Sequence, residues 1–250
     1  MSGHSKWATI KHSKAKTDSA RGKVFTKIIR EITSATKLGG GDPAANPRLR
    51  LAIDKAKAAN MPKDNIERAI EKGIGGGGAA MDELVYDGYA PGGVALMIEV
   101  MTDNRNRSGG EVRNILEKNG GTWGASGSVS YMFKRKGSIV FDKTGVDEEA
   151  LTMAAIDAGA EDVLSEETTI EIVTTPEQFE KVRDDLASKK FVAASSELTM
   201  VPSTTVKVSG EAAQKVLRLV NLLEEHDDVQ AVYANFDISD EELERISKLQ

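Results

Sequence analysis

The fold is decided by residues 137–200, which read GSIVFDKTGVDEEALTMAAIDAGAEDVLSEETTIEIVTTPEQFEKVRDDLASKKFVAASSELTM. Short runs rich in β-branched residues alternate here with longer amphipathic runs, a pattern typical of strands and helices in turn. The order is strand, helix, strand, strand, helix, strand, which is the split βαβ or ferredoxin-like arrangement. The predicted elements are Ser138–Phe141, Asp147–Ala158, Glu161–Leu164, Thr169–Val173, Pro176–Lys189 and Val192–Met200.

The segments on either side of this stretch predict a second unit of the same kind. Taken together they give the order βαββαβ again, with an added hairpin strand at Leu84–Tyr89. Pro91 and Gly92 stand in the order that suits a type II turn after that strand. One ferredoxin-like unit is therefore predicted to be inserted in the other. The predicted flanking elements are Val94–Met101, Ser108–Asn119 and Val129–Phe133 before the insertion, and Thr204–Val208, Glu211–Glu225 and Val229–Phe236 after it.

The first part of the chain predicts three short amphipathic helices. Val24–Leu38 has apolar residues at the spacing of one buried helical stripe, and Gly39-Gly40-Gly41 should end that helix. Asn46 is a suitable N-cap for a second helix with Pro47 in its first turn. Pro62 should open the third helix, and Gly73 is a suitable C-terminal cap for it. The glycine-rich stretch 73–80 lacks the Lys-Ser/Thr pair of a phosphate-binding loop, so we interpret it as an interdomain hinge.

The predicted fold class is therefore α+β and multidomain. A three-helix N-terminal domain with a basic arm and a glycine hinge precedes two ferredoxin-like (split βαβ) domains, one inserted in the other. The predicted boundaries are 1–78 for the helical domain, 79–135 plus 203–250 for the discontinuous domain, and 136–202 for the inserted domain. Lys134-Arg135-Lys136 is interpreted as a solvated linker at the junction of the last two.

Charge divides the chain unevenly, although the net charge is only −6. Residues 1–72 contain 16 Lys and Arg and 7 Asp and Glu, a net charge of +9. The remainder contains 17 basic and 32 acidic residues, a net charge of −15. Such a division indicates a segment that binds a polyanion, attached to a body that repels nonspecific contact. The plainer alternative is that the basic residues form a solvated helix face.

Several functional classes are disfavoured by composition. The chain has no cysteine, which excludes disulfides, thiol nucleophiles and cysteine-based zinc sites. It has three histidines, and no nucleotide-binding fingerprint, nucleophile elbow or zinc-protease motif. No apolar run is long enough to span a bilayer, and the first residues do not form a signal peptide. We expect a cytoplasmic protein that is not an enzyme and holds no cofactor or metal.

The basic residues predict a nucleic-acid interface, because phosphate contacts dominate affinity for DNA and RNA. Trp7 can stack on an unpaired base or pack in the helical core, and the sequence leaves both open. Arg105 and Arg107 form a second basic group, for which pairing with Asp103 and Glu111 is an equal alternative. The candidate nucleic-acid-binding residues are Lys6, Trp7, Lys11, His12, Lys14, Lys16, Arg21, Lys23, Lys27, Arg30, Arg105 and Arg107.

Several motifs, spread over nearly the whole chain, closely resemble the YebC/PmpR family. Thr9 and Ser13 depart from the pattern, since the family more often has Asn and a basic residue there. The motifs that carry the resemblance include Gly3-His4-Ser5-Lys6-Trp7, Arg21-Gly22-Lys23, Gly40-Gly41-Asp42-Pro43, Asn60-Met61-Pro62-Lys63-Asp64-Asn65-Ile66, Pro91-Gly92-Gly93-Val94 and Asp103-Asn104-Arg105-Asn106-Arg107.

The resemblance implies a helical N-terminal domain, two α/β domains and a role in gene expression. The family is described as probable DNA-binding transcriptional regulators, and its mitochondrial relatives activate translation of cytochrome c oxidase. Bacterial members are implicated in helping ribosomes through difficult stretches. Lys23, Lys27 and Arg30 suit phosphates better than base edges. We therefore favour ribosomal RNA, with contact to the ribosome, over promoter DNA as the partner. A ligand-sensing or scaffold role is a further alternative that rests on fold analogy alone.

Overall fold

The computed structural model describes residues 18–76, 81–166 and 168–247, without the side chains of residues 18–21, 240, 243, 244 and 247. Two 3₁₀ turns, Pro91–Gly93 and Ser130–Met132, accompany the helices and strands. In chain order the described elements are α1 (Asp18–Gly39), α2 (Pro47–Ala58), α3 (Lys63–Ile74), β1 (Asp82–Ala90), β2 (Val94–Thr102), α4 (Arg105–Lys118), β3 (Thr122–Trp123), β4 (Phe133–Asp142), α5 (Glu148–Ala158), β5 (Asp162–Ser165), β6 (Thr169–Thr174), α6 (Phe179–Ser188), β7 (Ser195–Pro202), β8 (Val206–Lys207), α7 (Gly210–Glu224), β9 (Val229–Ala234), β10 (Phe236–Asp237) and α8 (Asp240–Ser247).

The first three helices pack around a small apolar core, as the sequence predicts. Helix α1 ends at Gly39, and Gly40 follows with φ +84°, a backbone conformation that favours glycine. Buried Asn46 joins α1 to α2, because its Oδ1 accepts a hydrogen bond from the Leu49 amide while its Nδ2 donates to the carbonyls of Ala35 and Gly40. The buried core residues are Ile28, Ile32, Ala35, Leu49, Ala52, Ala56, Met61, Ile66 and Ala69.

The inserted sheet has the strand order β5-β6-β4-β7 and is antiparallel throughout. This is the strand order of a ferredoxin-like fold, with α5 and α6 packed against one face over a core that includes Ile139, Phe141 and Leu151. Each predicted strand and helix of residues 137–200 is present. Because β4 begins at Phe133, Lys134, Arg135 and Lys136 are strand residues and the prediction that they form a linker is wrong.

A second sheet contains strands from both sides of this insertion, in the order β3-β1-β2-β9. The hairpin of β1 and β2 is confirmed, and Gly92, with φ 81° and ψ 10°, has the backbone angles of the third residue of a type II turn. Helices α4 and α7 cover one face of this sheet, over a core that includes Leu96, Ile98 and Leu116. The α+β fold class, with helices first and two sheet units after them, is therefore confirmed.

Two strands predicted for the second sheet lie elsewhere. Most of Val129–Phe133 is a 3₁₀ turn, and Phe133 begins a strand of the inserted sheet. Val129 and Phe133 pack on Ala95 and Met97, on the face of β2 away from the helices. This burial explains why apolar residues stand at these two positions. Residues 204–208 contain only the short β8, which pairs in parallel with β10 rather than with the main sheet. The apolar pattern thus marked residues that are buried or paired, but it did not identify the sheet to which they belong.

The helical region contacts both sheet units. Arg50 makes a two-point ion pair with Glu180 of α6, with nitrogen–oxygen distances of 3.1 and 2.7 Å. Arg48 bridges Glu31 of α1 and Glu83 of β1. Leu51 also packs against the core of the inserted unit. These contacts fix where the basic face of α1 lies.

Candidate nucleic-acid interface

The predicted interface residues fall into three groups in the structure. The backbone of Arg21 lies in α1, but its side chain is not described. The other described candidates lie on α1 or at the start of α4. The candidates outside the described residues are Lys6, Trp7, Lys11, His12, Lys14 and Lys16.

Lys23, Lys27 and Arg30 share one face of α1 and contact the last residue of α7 and the residues that follow it. Lys23 Nζ lies 3.3 Å from the Glu225 carbonyl, and Lys27 Nζ lies 2.5 Å from the Glu224 carbonyl. Arg30 Nη1 donates to the Asp227 carbonyl at 2.6 Å. The last carbonyls of a helix lack partners within the helix and carry partial negative charge, so cations stabilise them. We call this set of interactions the α1–α7 contact.

Asp228 lies at the centre of that contact, with its side chain only 6% exposed. Its carboxylate accepts hydrogen bonds from Arg30 at 2.9 Å, Arg107 at 2.8 Å and Ser108 at 2.6 Å. Burial acts to raise the pKa of Asp228, but the hydrogen bonds from Ser108, Arg107 and Arg30 outweigh it and lower the pKa to about 2. The group is thus a carboxylate at neutral pH that joins α1 to α4.

Arg107 is placed for this role by the cap of α4. The Asn104 side chain accepts a hydrogen bond from the Arg107 amide at 3.1 Å, which fixes the first turn of the helix. Arg107 also contacts Asp103 at 2.9 Å, the pairing that the sequence left open. Glu111, the other proposed partner, instead contacts His226 at 2.9 Å.

Glu111, His226 and Asp228 place one possible metal-ligand atom each within 4.8 Å of one another. His226 Nδ1 accepts a hydrogen bond from the Asp228 amide, and its Nε2 contacts Glu111. Two guanidinium groups, from Arg30 and Arg107, already contact the Asp228 carboxylate. These two fixed positive charges lie 2.9 and 2.8 Å from the carboxylate oxygens and would repel a cation bound there. The three residues therefore do not fit a metal ion.

Arg105, the remaining candidate, lies on a different surface. It forms a two-point pair with Asp82 at 2.8 and 3.0 Å, and its side chain stays 62% exposed. It borders an open groove of about 490 Å³ together with Tyr86, Arg113 and Trp123. These three residues were missed from the sequence, because β1, β3 and α4 meet only in the folded chain.

Comparison with known proteins agrees with this architecture. Residues 5–76 match the family described as "TACO1/YebC protein N-terminal domain", and residues 81–236 match "TACO1/YebC second and third domain". The chain belongs to the TACO1/YebC family. The resemblance to the YebC family found in the sequence is thereby confirmed.

Curated TACO1/YebC relatives are similar over their whole length. A "Probable transcriptional regulatory protein" of Trichlorobacter lovleyi is 58% identical, covering 98% of this chain and 100% of its own. One from Geobacter sulfurreducens, with a similar name, is 56% identical over the same shares. A crystal structure of a conserved hypothetical protein from Aquifex aeolicus is 51% identical, with a TM-score of 0.81, covering 90% of this chain and 94% of that one.

These names support a regulatory role for the TACO1/YebC family, and they are names of regulators rather than of enzymes. Within the part of the chain that the structure describes, no helix combines the length and apolar character needed to cross a membrane.

Proposed function

We propose that this protein is a nucleic-acid-binding regulator that acts in the cytoplasm on RNA at the ribosome, as a translation factor that relieves stalling. The observation that carries the proposal is the position of α1. A helix that reads DNA enters the major groove with its cationic face exposed. Here Lys27 and Arg30 contact the end of α7 and the loop after it at 2.5 and 2.6 Å, and the exposed Lys23 lies 3.3 Å from the Glu225 carbonyl. Most of the cationic face of α1 is therefore turned toward α7 rather than toward solvent.

The basic arm that precedes α1 then becomes the main source of phosphate contacts. Lys6, Lys11, His12, Lys14 and Lys16 precede α1, and Arg21 adds a positive charge in its first turn. Residues 6–21 contain a single acidic residue, Asp18. Such a segment can follow the irregular backbone of a folded RNA, where shape and unpaired bases are read. The acidic remainder of the chain disfavours nonspecific coating of nucleic acid.

The alternative proposal is a DNA-binding transcriptional regulator. The names of the curated relatives favour it, since they are called probable transcriptional regulatory proteins. It requires the α1–α7 contact to open, or the arm alone to supply sequence readout.

Crosslinking of the protein to nucleic acid in cells, followed by sequencing, separates the two proposals. Recovery of ribosomal RNA supports the translation factor, whereas recovery of promoter DNA overturns it. A binding assay with purified protein then maps the surface. Replacing Lys11, Lys14 and Lys16 with Ala should reduce the dependence of log K on log salt by roughly 0.7–0.9 for each phosphate that the protein no longer neutralises. The matched control replaces three exposed lysines of the inserted unit, Lys181, Lys189 and Lys190.

A further inference from the structure

The open groove beside Arg105 has the composition of a nucleotide-binding surface. It lies where β1, β3 and the first turns of α4 meet. None of the described residues that line it is acidic, although the chain beyond residue 72 has a net charge of −15. We call it the aromatic groove, and its lining residues are Leu84, Tyr86, Arg105, Asn106, Gly109, Gly110, Arg113 and Trp123.

Two aromatic rings form one wall of the aromatic groove. The ring centroids of Tyr86 and Trp123 are 4.8 Å apart, and the ring planes are inclined at 48°. Both side chains are half-buried, and the Tyr86 hydroxyl donates to the Arg105 carbonyl at 3.3 Å. The rings are therefore held in place while part of their surface faces the groove. Base stacking on aromatic rings needs this combination of rigidity and exposure.

Glycines on α4 keep the groove open. A Cβ atom at Gly109 would lie 3.2 Å from the Tyr86 hydroxyl, closer than ordinary contact. A Cβ atom at Gly110 would meet nothing within 4 Å, so the space beside it is empty. Two consecutive glycines reduce the stability of a helix, because glycine has the lowest helix propensity after proline. Their effect here is to leave room for a planar group next to the rings.

Two arginines supply positive charge to the same space. Arg105 uses Nε and Nη2 to contact Asp82, and Arg113 uses Nε to contact Glu117. Each guanidinium group has five N–H donors, so both retain donors that these ion pairs do not use. Their side chains are 62% and 60% exposed. Exposed ion pairs of this kind are weak and compete poorly with a phosphate group.

We propose that the aromatic groove binds one unpaired nucleotide of a single-stranded RNA. The base stacks on the rings of Tyr86 and Trp123, and Arg105 and Arg113 contact the neighbouring phosphates. The exposed side-chain amide of Asn106 can pair with a base edge. The proposal rests on the proposed function, since it takes RNA as the target. It adds a second binding surface that is separate from the basic arm.

Tryptophan fluorescence tests this directly, because the chain has only two tryptophans, Trp7 and Trp123. In a Trp7→Phe variant the signal comes from Trp123 alone. Short single-stranded oligoadenylate RNA should quench that signal saturably. Duplex RNA should not quench it, because its bases are already stacked and paired. Equal quenching by duplex RNA, or by oligodeoxyadenylate, would overturn the assignment to an unpaired RNA nucleotide.

A filled-groove variant supplies the second measurement without removing any binding residue. Gly110→Leu, in the same Trp7→Phe background, places a side chain in the empty space and should raise helix propensity. It should abolish the quenching and weaken RNA binding by roughly 5- to 150-fold, the range for loss of one stacked base. Asn114→Leu adds the same side chain at an exposed α4 position outside the groove and should leave binding unchanged. Thermal unfolding of both variants checks that they are folded.

Fluorescence anisotropy with labelled RNA distinguishes the two proposals. If RNA binds with a salt dependence that the arm lysines control, but Trp123 is not quenched, the aromatic groove is refuted and the proposed function stands. If neither RNA nor DNA binds to the folded protein, both are refuted.

Discussion

Replacing Asp228 with Asn should weaken the attachment of α1 to the rest of the protein. The change keeps the shape of the side chain but removes the charge that holds Arg30 and Arg107. The pKa of Asp228 is lowered from 3.8 to about 2, a difference that corresponds to roughly 2 kcal/mol in favour of the carboxylate in the folded state. We therefore expect Asp228→Asn to reduce the free energy of unfolding at neutral pH by about that amount.

The pH dependence of this effect follows from the direction of the pKa change. A lowered pKa means that the contribution is complete above the unfolded pKa, near 3.8, and is lost as the pH falls toward 2. The wild-type protein should thus lose more stability in this acid range than Asp228→Asn does. The stability difference between the two proteins should shrink accordingly.

Amide hydrogen exchange combined with thermal unfolding is the suitable assay, because a chain of several units need not unfold in a single transition. Exchange should accelerate in α1 and in the first turn of α4. Asp227→Asn is the matched control. Asp227 is exposed and contacts Arg30 through its backbone carbonyl, so the same change of side chain there leaves that contact in place. Equal exchange and equal acid sensitivity in wild type and Asp228→Asn would refute the reasoning.

Two further predictions concern the fold. Asn46→Ala should lower the free energy of unfolding by about 1–3 kcal/mol, measured by denaturant titration, because it removes the cap of α2 and leaves the carbonyls of Ala35 and Gly40 without their side-chain donor. Asn46→Asp keeps the cap acceptor but turns a carboxylate oxygen toward those carbonyls, so it should also be destabilised. The fragment 133–202 contains the whole inserted sheet and should fold alone. NMR should show amide protection in its strands, and the spectrum of an unfolded chain would contradict the predicted inserted domain. The shorter fragment 136–202 should be less stable, because it lacks the first residues of β4, which pair with β7.

Local features of the fold could be predicted from the sequence because they depend on neighbouring residues. Asn46 before Pro47 and Gly40 after α1 are caps that a few residues determine. The strands and helices of residues 137–200 follow from periodicity alone. Strand membership around Val129 could not be predicted, because an apolar residue buried across a domain junction gives the same pattern as one paired in a sheet.

The candidate site was predictable in its residue types and not in its arrangement. Positive charge on α1 is visible in the sequence, but its partners at Glu224, Asp227 and Asp228 are about 200 positions away. The aromatic groove requires Tyr86 and Trp123, on strands β1 and β3, to lie beside α4. No local pattern in the sequence places these three elements together.

The division of charge along the chain therefore has two physical consequences. The negative charge beyond residue 72 repels nucleic acid in general, as the sequence suggests, but part of it also attracts the chain's own basic helix. Lys27 and Arg30 are partly buried against α7 and the loop after it, so phosphate binding by these two residues competes with the α1–α7 contact. Nucleic acid that binds in the aromatic groove competes instead with the exposed ion pairs of Arg105 with Asp82 and of Arg113 with Glu117. A polyanion that bound Arg30 in place of Asp228 would release α1 from that carboxylate. Because Asp228 also holds Arg107 at the start of α4, binding at α1 would then be coupled to the aromatic groove, which α4 lines.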